Sequence, residues 1–208
     1  MKNLFCRSIV ALCFLVAGAT TVRASVAEAP ENVHPLASGS VAPSGDLTSL
    51  DGTTVTLSSV IRDKPTILIF YRGGWCPFCN RHLAELGQSY LELRQLGFQI
   101  VAVTPDDLTA IGATAEKQHI LYHLFSDRKM AVTPSYGVAY RINAATAKDY
   151  KENGINLAPI PGEPDFWLPV PAAFVIGKDG IVKFVYFNPD PSVTISREQL
   201  VAAAKAAL

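Results

Sequence analysis

Between Thr66 and Leu96 the chain writes a strand, a turn and a helix without a gap, and this run restricts the fold more than any other. TILIFY is a continuous apolar stretch of strand length, the composition of a strand buried on both faces. Gly73, Gly74 and Pro77 then break it. RHLAELGQSYLELRQL follows with Leu83, Leu86, Tyr90, Leu93 and Leu96 at helical spacing. A strand with no solvent face needs covering layers on both sides, so the chain must be built around a central sheet.

The remaining segments continue the alternation. FQIVAVTP is a second buried strand ended by Pro105, and DDLTAIGATAEKQH is a helix opened by acidic residues, which suits its N-terminal dipole. ILYHLFSD returns to strand, and KMAVTPSYGVAY is expected to start another helix. Upstream, DLTSLDGTTVTLSSV alternates around the Asp51-Gly52 turn and predicts a short hairpin. Downstream, AAFVIGKDGIVKFVYF predicts a second hairpin around Lys178-Asp179-Gly180. In SREQLVAAAKAAL, Ser196 and Gln199 have capping-box spacing ahead of an Ala-rich helix. Residues 141–169 crowd Pro159, Pro161, Pro164 and Pro169 together and are expected to form a long surface insertion. The order predicts an α/β fold, with a mixed central sheet, parallel strands at its centre and helices on both faces.

Met1 to Ala24 joins a basic start (Lys2, Arg7) to the apolar run SIVALCFLVAGA and to small residues before Ser25, the layout of a cleavable secretory signal. The run is about a dozen residues, short of the ~20 that a stable bilayer span needs; an uncleaved anchor is the alternative. Residues 25–44 are rich in Ala, Pro, Ser and Glu with no apolar period and are expected to be a flexible lead-in. That leaves 45–208 as one domain, large enough to build a core without disulfide staples. A periplasmic or secreted protein, with no stable membrane span once the signal is cleaved near Ala24, is the expectation. The 18 basic residues balance the 18 acidic ones, which gives no sign of a nucleic-acid partner or a charged membrane face.

Cleavage would remove Cys6 and Cys13 and leave Cys76 and Cys79 in an oxidising compartment. Cys76 ends the turn and Cys79 falls in the first helical turn, with Pro77 at the first helical position, where a missing N–H costs nothing. The helix N-terminus favours a thiolate, so the pKa of Cys76 should fall below the free value of ~8.5. Arg72, Arg81 and His82 are near in sequence and could add to the effect. Residues three apart share a helix face, so the two sulfurs can close a small ring. Cys76 is expected at an exposed tip as the attacking thiolate, with Cys79 shielded behind it as the resolving thiol. Two other uses of the pair remain. One is a structural disulfide, although so short a ring removes little unfolded-state entropy. The other is a zinc site completed by His82 with His119 or His123. Covalent haem attachment needs a histidine directly after the second cysteine, and position 80 is Asn. No cofactor and no resident metal are expected.

These residues resemble the thioredoxin-like superfamily, in particular the peroxiredoxin-like branch related to the alkyl hydroperoxide reductase and thiol-specific antioxidant proteins. LDGTTVTLSSV, TILIFYRGGWCPFCNRHLAEL, VAVTPDD, FSD, YGVAYRI and VPAAFVIGKDGIV carry the resemblance, which runs from about Asp46 to the C-terminus. It implies a thioredoxin-like fold and an oxidoreductase acting on protein thiols and disulfides or on hydroperoxides, with an external thiol reductant. The chain departs from the peroxiredoxin pattern Pro-x-x-x-Thr-x-x-Cys, having Ile69 and Gly73 ahead of Cys76. It also has Pro171, three residues before Phe174, where those proteins place an arginine. Thioredoxin-type proteins carry a cis-proline there, so the resemblance implies that Pro171 and Val170 border a substrate groove beside Trp75 and Pro77. Arg72 or Arg141 would then replace the missing cation. Disulfide exchange through Cys76 and Cys79 is the function expected first, and thiol peroxidase activity through a sulfenic acid on Cys76 is the alternative. A non-enzymatic binding or assembly module, with a static disulfide or a captured metal ion, is a third reading. The 141–169 insertion would form a partner-binding surface over the groove.

Overall fold

Every residue of β3 (Thr66–Phe70) is buried, as a strand at the centre of a two-sided sheet must be. The computed structural model describes residues 26–157, 159–160, 162 and 164–208; the Met1–Ala24 leader lies outside them. The strands flanking β3 are β1 (Asp46–Ser49), β2 (Thr54–Thr56), β4 (Gln99–Thr104), β5 (His123–Ser126), β8 (Ala172–Ile176) and β9 (Val182–Phe187). Together they form a seven-stranded sheet of order β2-β1-β5-β4-β3-β8-β9. β3, β4 and β5 run parallel, and the outer strands pair antiparallel. This is the mixed sheet with a parallel centre that the alternation of strand and helix predicts.

Side chains alternate between the two faces along each strand. Ile67, Ile69, Tyr71, Ile100, Ala102, Ala173 and Val175 meet α2 (Pro77–Gln95), α3 (Leu108–Lys117) and α5 (Arg197–Ala206) through Leu83, Leu86, Leu93, Ile111 and Leu200. Leu68, Phe70, Val101, Val103 and Phe174 face the other way, toward the short α1 (Leu57–Ile61) and a 3-10 turn at Thr133–Tyr136. Phe70, Tyr136 and Phe174 form a ring cluster there, with Phe70 5.1 Å and Phe174 5.0 Å from Tyr136. The capping box before α5 is present, with the Ser196 hydroxyl accepting from the Gln199 N–H.

Four expectations are corrected. The first hairpin ends at Thr56, whose hydroxyl caps α1 by accepting the Ser59 N–H. KMAVTPSYGVAY does not start an α-helix. The buried Asp127 carboxylate takes the N–H groups of Ala131, Val132 and Thr133 and the Thr133 hydroxyl, which fixes that backbone as a turn instead. Gly137 then follows in the left-handed region, where a Cβ would lie 2.1 Å from the His34 carbonyl oxygen. The lead-in is not flexible: Val33 is buried, and backbone bonds tie Ala27 to Ala139 and Arg141, Leu36 to Tyr136, Gly39 to Val182 and Ala42 to Gly180. The face that α1 covers has too little helix of its own, so Leu36 and Ala42 complete its cover. Finally, the 141–169 insertion carries its own structure. β6 (Ala139–Ile142) pairs antiparallel with β7 (Phe166–Pro169), and α4 (Ala144–Glu152), capped by the Asn143 side chain, lies between them in sequence. Tyr140, Ile142, Leu168 and Val170 bury this unit against Val33.

Replacing Asp127 by Ala strands three backbone donors at once, those of Val132 and Thr133 buried. The Asp127→Ala protein should lose about 3 kcal/mol of stability, seen as a lower urea midpoint with an unchanged denaturant slope.

Candidate active site

After Phe70 the backbone keeps one more sheet contact, from the Tyr71 N–H to the Val103 carbonyl (3.1 Å), and then turns sharply. The turn needs both glycines. Gly73 has φ +153, and a Cβ on it would lie 2.3 Å from the Trp75 indole nitrogen and 2.8 Å from the Asp106 carboxylate. A Cβ on Gly74 would sit 1.9 Å from the Thr114 hydroxyl of α3. The Gly74 residue is held from both sides. Its N–H donates to Asp106 Oδ2 (2.7 Å), and its carbonyl accepts from the Asn80 side-chain amide (2.7 Å).

This clamp delivers Cys76 to the N-cap of α2 in extended backbone, with Pro77 as the first helical residue. Its sulfur accepts the Cys79 N–H at 3.4 Å, the place where a serine or aspartate oxygen commonly sits. The Cys79 thiol also hydrogen-bonds to the Cys76 sulfur, and that interaction, more than any other, pulls the Cys76 pKa down to about 6. Burial works against the shift, while the Cys79 and Phe78 N–H groups and the Arg72 charge add to it. Cys79 moves the opposite way, raised by its donation to Cys76, by burial and by the Cys76 charge. Both cysteines are free. At neutral pH the pair therefore favours a thiolate on Cys76 and a thiol on Cys79.

Arg72 acts on this pair through its charge. Its guanidinium lies 4.9 Å above the Trp75 ring and 5.8 Å from the Tyr150 ring, and it donates to the Tyr150 hydroxyl. Burial opposes the Arg72 charge, but Tyr140, Tyr150 and the two sulfurs favour it and keep the group charged. Trp75, half-buried, sits 5.4 Å from Tyr150, so α4 of the insertion comes down onto the cysteine-bearing turn. Asp106 is the other charged group at the turn, and burial pushes its carboxyl up to about 6.

Residues 38–185 match the model of the AhpC/TSA family. The chain belongs to that family. It is similar to the chloroplastic peroxiredoxin Q of Triticum aestivum, 27% identical over 150 residues that cover 72% of this chain and 58% of that protein. The chain spans about three fifths of the length of the first curated relatives it matches. Among solved structures it is similar to a peroxiredoxin-like protein from Aquifex aeolicus, with TM-score 0.66 and 18% identity over 84% of this chain and 90% of that one. It is also similar to reduced Prx3 in complex with H2O2 from Vibrio vulnificus, with TM-score 0.63 and 20% identity over 81% of this chain and 99% of that one. These likenesses show the thioredoxin-like fold of the peroxiredoxins.

The structure of this AhpC/TSA chain brings Cys76, Cys79, Arg72 and Trp75 together, and it alters several expectations about them. Cys76 is not an exposed tip: it keeps 1% of its surface and Cys79 3%. A sulfur that caps the helix must turn inward to meet the N–H groups, which leaves Pro77 and Phe78 on the outside. Pro171 is not a cis-proline, since no cis peptide bond occurs among the described residues. The chain passes straight from β7 into β8, with the Val170 N–H bonded to Val138 and the Pro171 carbonyl to the Asn188 N–H, so no tight turn is made there. Val170 and Pro171 are buried and present no open groove wall. His82 adds no charge, because burial pushes its pKa down to about 4. Arg81 is occupied with Glu85 and the Phe78 ring, and Arg141 with Glu28, Asp165 and the Trp167 ring. Among the described residues no group of three or more His, Cys, Asp or Glu side chains could hold a metal ion. Likewise, no helix among them is long and apolar enough to cross a membrane.

Sequence reasoning missed Asn80, Asp106 and Tyr150. Asp106 had a signal: it follows the second buried strand, and sites in parallel sheets gather at the carboxyl ends of strands. Tyr150 had none, because the insertion's path is not written in its spacing.

In reduced protein, the ultraviolet absorbance of the thiolate should titrate with a midpoint near pH 6, and Cys79→Ala should move that midpoint upward by removing the thiol donor. A folded-state pKa below the unfolded one adds stability that is complete above the unfolded value and fades as pH falls through the folded value. The stability of the wild type relative to Cys76→Ser should therefore rise with pH between about 6 and ~8.5.

Proposed function

We propose that this chain is an exported thiol-dependent oxidoreductase that reduces a small hydroperoxide at Cys76 and closes a disulfide with Cys79. The observation that carries this reading is the split pair itself: one thiolate at a helix N-terminus, hydrogen-bonded to a buried protonated thiol. The Cys76 thiolate attacks the terminal oxygen, the O–O bond breaks, and the alcohol or water leaves after taking a proton. Cys76 is then a sulfenic acid. Cys79 attacks its sulfur, the hydroxyl leaves as water with the thiol proton, and the disulfide forms within the first turn of α2. One external thiol opens the ring as a mixed disulfide, and a second attacks that bond, leaves as the external disulfide and restores the two reduced cysteines.

Substrate size favours the peroxide. A cysteine retaining 1% of its surface admits a two-oxygen group far more readily than the face of another protein. Arg72 supplies the fixed positive charge near the reacting sulfur, where charge on the leaving oxygen develops. The names of the relatives point the same way, as does the hydrogen peroxide held by the Vibrio vulnificus protein. The Met1–Ala24 leader supports export to the periplasm or the medium, where an exchangeable disulfide persists. A second reading, exchange with protein disulfides as the main reaction, is favoured by Gly73 and Pro171, which stand where peroxiredoxins carry threonine and arginine. Both readings give Cys76 and Cys79 the same roles.

Single-turnover stopped flow separates them. Fully reduced protein is mixed with hydrogen peroxide and, separately, with an oxidised protein disulfide, and tryptophan fluorescence is followed. Fast oxidation by peroxide is expected, absent in Cys76→Ser and halted at a dimedone-reactive sulfenic acid in Cys79→Ser. Fast reaction with the disulfide beside sluggish reaction with peroxide would establish the second reading. Reaction with neither would end both.

A further inference from the structure

Arg72 is held by hydroxyls and rings rather than by an acid. Its guanidinium donates to the Tyr150 hydroxyl, and the Tyr140 hydroxyl accepts from the same side chain. The Trp75 ring lies 4.9 Å and the Tyr150 ring 5.8 Å from the guanidinium carbon. Among the described residues no carboxylate forms an ion pair with it. The groups that favour its charge are the same two tyrosines and the two cysteine sulfurs. Tyr140 in turn feels Arg72, Tyr150 and Cys79, so these side chains form one cluster.

Holding a guanidinium by hydroxyls has an electrostatic consequence. A carboxylate partner orients the group but cancels most of its field, whereas a neutral hydroxyl orients it and leaves the charge intact. Burial pushes Tyr140 up to about 12, so its hydroxyl stays neutral while it accepts. The charge of Arg72 is then free to act on the Cys76 thiolate, which it helps to hold. Both hydroxyls come from the unit that begins with β6. Tyr140 lies in β6 and is buried with Ile142 and Leu168, and Tyr150 is on the half-buried face of α4. Residues on two elements therefore fix the direction of a side chain that grows from a third, the turn after β3. We propose that Tyr140 and Tyr150 are positioning residues: their hydroxyls aim the Arg72 guanidinium at the Cys76–Cys79 pair, so the β6–α4 unit takes part in activating the nucleophile through Arg72. In a second step of the same inference, the aimed guanidinium also stabilises the oxygen that leaves when a peroxide is cleaved. That second step rests on the reading under Proposed function; the first does not.

Tyr140→Phe, Tyr150→Phe and the double variant keep the rings and remove the hydroxyls. The thiolate absorbance of reduced protein is titrated with no substrate present. In the double variant its midpoint should move upward by about half a pH unit, most of the shift that Arg72→Gln gives. In an Arg72→Gln background the tyrosine substitutions should add nothing, as expected of residues that act through that side chain. An unmoved midpoint, or the same shift with and without Arg72, overturns the positioning. If the buried Tyr140→Phe does not fold, Tyr150→Phe alone carries the same comparison from the half-buried face of α4. Rates with hydrogen peroxide and with iodoacetamide, each referred to the thiolate fraction, test the second step. Oxidation should fall about tenfold in the double variant, while alkylation, whose iodide leaves without a donor, stays within about twofold. Equal falls in the two rates overturn the second step and leave the first to the titration. Wild-type protein inert to peroxide ends the reading under Proposed function and the second step with it, and the tyrosines are judged by the titration either way.

Discussion

A sulfur occupies the N-cap of α2, and the arrangement of the rest of the site follows from that substitution for oxygen. The first N–H groups of a helix need an acceptor, and here the Cys79 N–H donates to Cys76 at 3.4 Å. A capping oxygen is chemically inert. A capping sulfur bonded to the same donors is held as a thiolate, so structural satisfaction of the helix and activation of a nucleophile are one interaction. Cys79 contributes twice, with its N–H as part of the cap and its thiol as a second donor. The Cys79 thiol already touches the Cys76 sulfur, so the disulfide of the proposed reaction would form between groups in contact.

The cap works only if the turn before it is fixed. Gly73 and Gly74 pass through space that no side chain could share with Trp75, Asp106 and Thr114. Their flexibility is then removed by Asp106 and Asn80, which hold the N–H and the carbonyl of Gly74. Asp106 itself is anchored to the sheet edge, its backbone N–H donating to the Thr104 hydroxyl and its carbonyl accepting from Ser126. The ends of β4 and β5 therefore set the position of a cysteine that follows β3.

Much of this was legible in sequence because periodic signals carry it. The unbroken apolar TILIF placed a central strand, the leucine spacing placed α2, and Cys-Pro-x-Cys at their junction placed the pair at a helix start. What was not legible depended on distance along the chain. The lead-in has no apolar period because it packs as irregular backbone, bonded residue by residue to Tyr136, Val182 and Gly180. KMAVTPSYGVAY is the local exception: the Asp127 carboxylate, four to six residues upstream, takes its N–H groups, and a side chain bonded to nearby backbone competes with the helix. The burial of Cys76 again depends on distant residues, because the layers around a capping sulfur set its exposure and the motif specifies only the cap.

Those layers govern what can reach the Cys-x-x-Cys pair. An exchange enzyme for proteins needs its outer sulfur in the open. Here α4 closes over the turn, with Tyr150 against Trp75 and in hydrogen-bond contact with Arg72, and the β6–β7 pair carries Val170 and Pro171 inward. The insertion that supplies α4 thus contributes to the active site as well as to the surface. It places Tyr150 against the half-buried Arg72 guanidinium. The same cation adds its charge to the stabilisation of the thiolate, behind the Cys79 thiol and the N–H group of the cap.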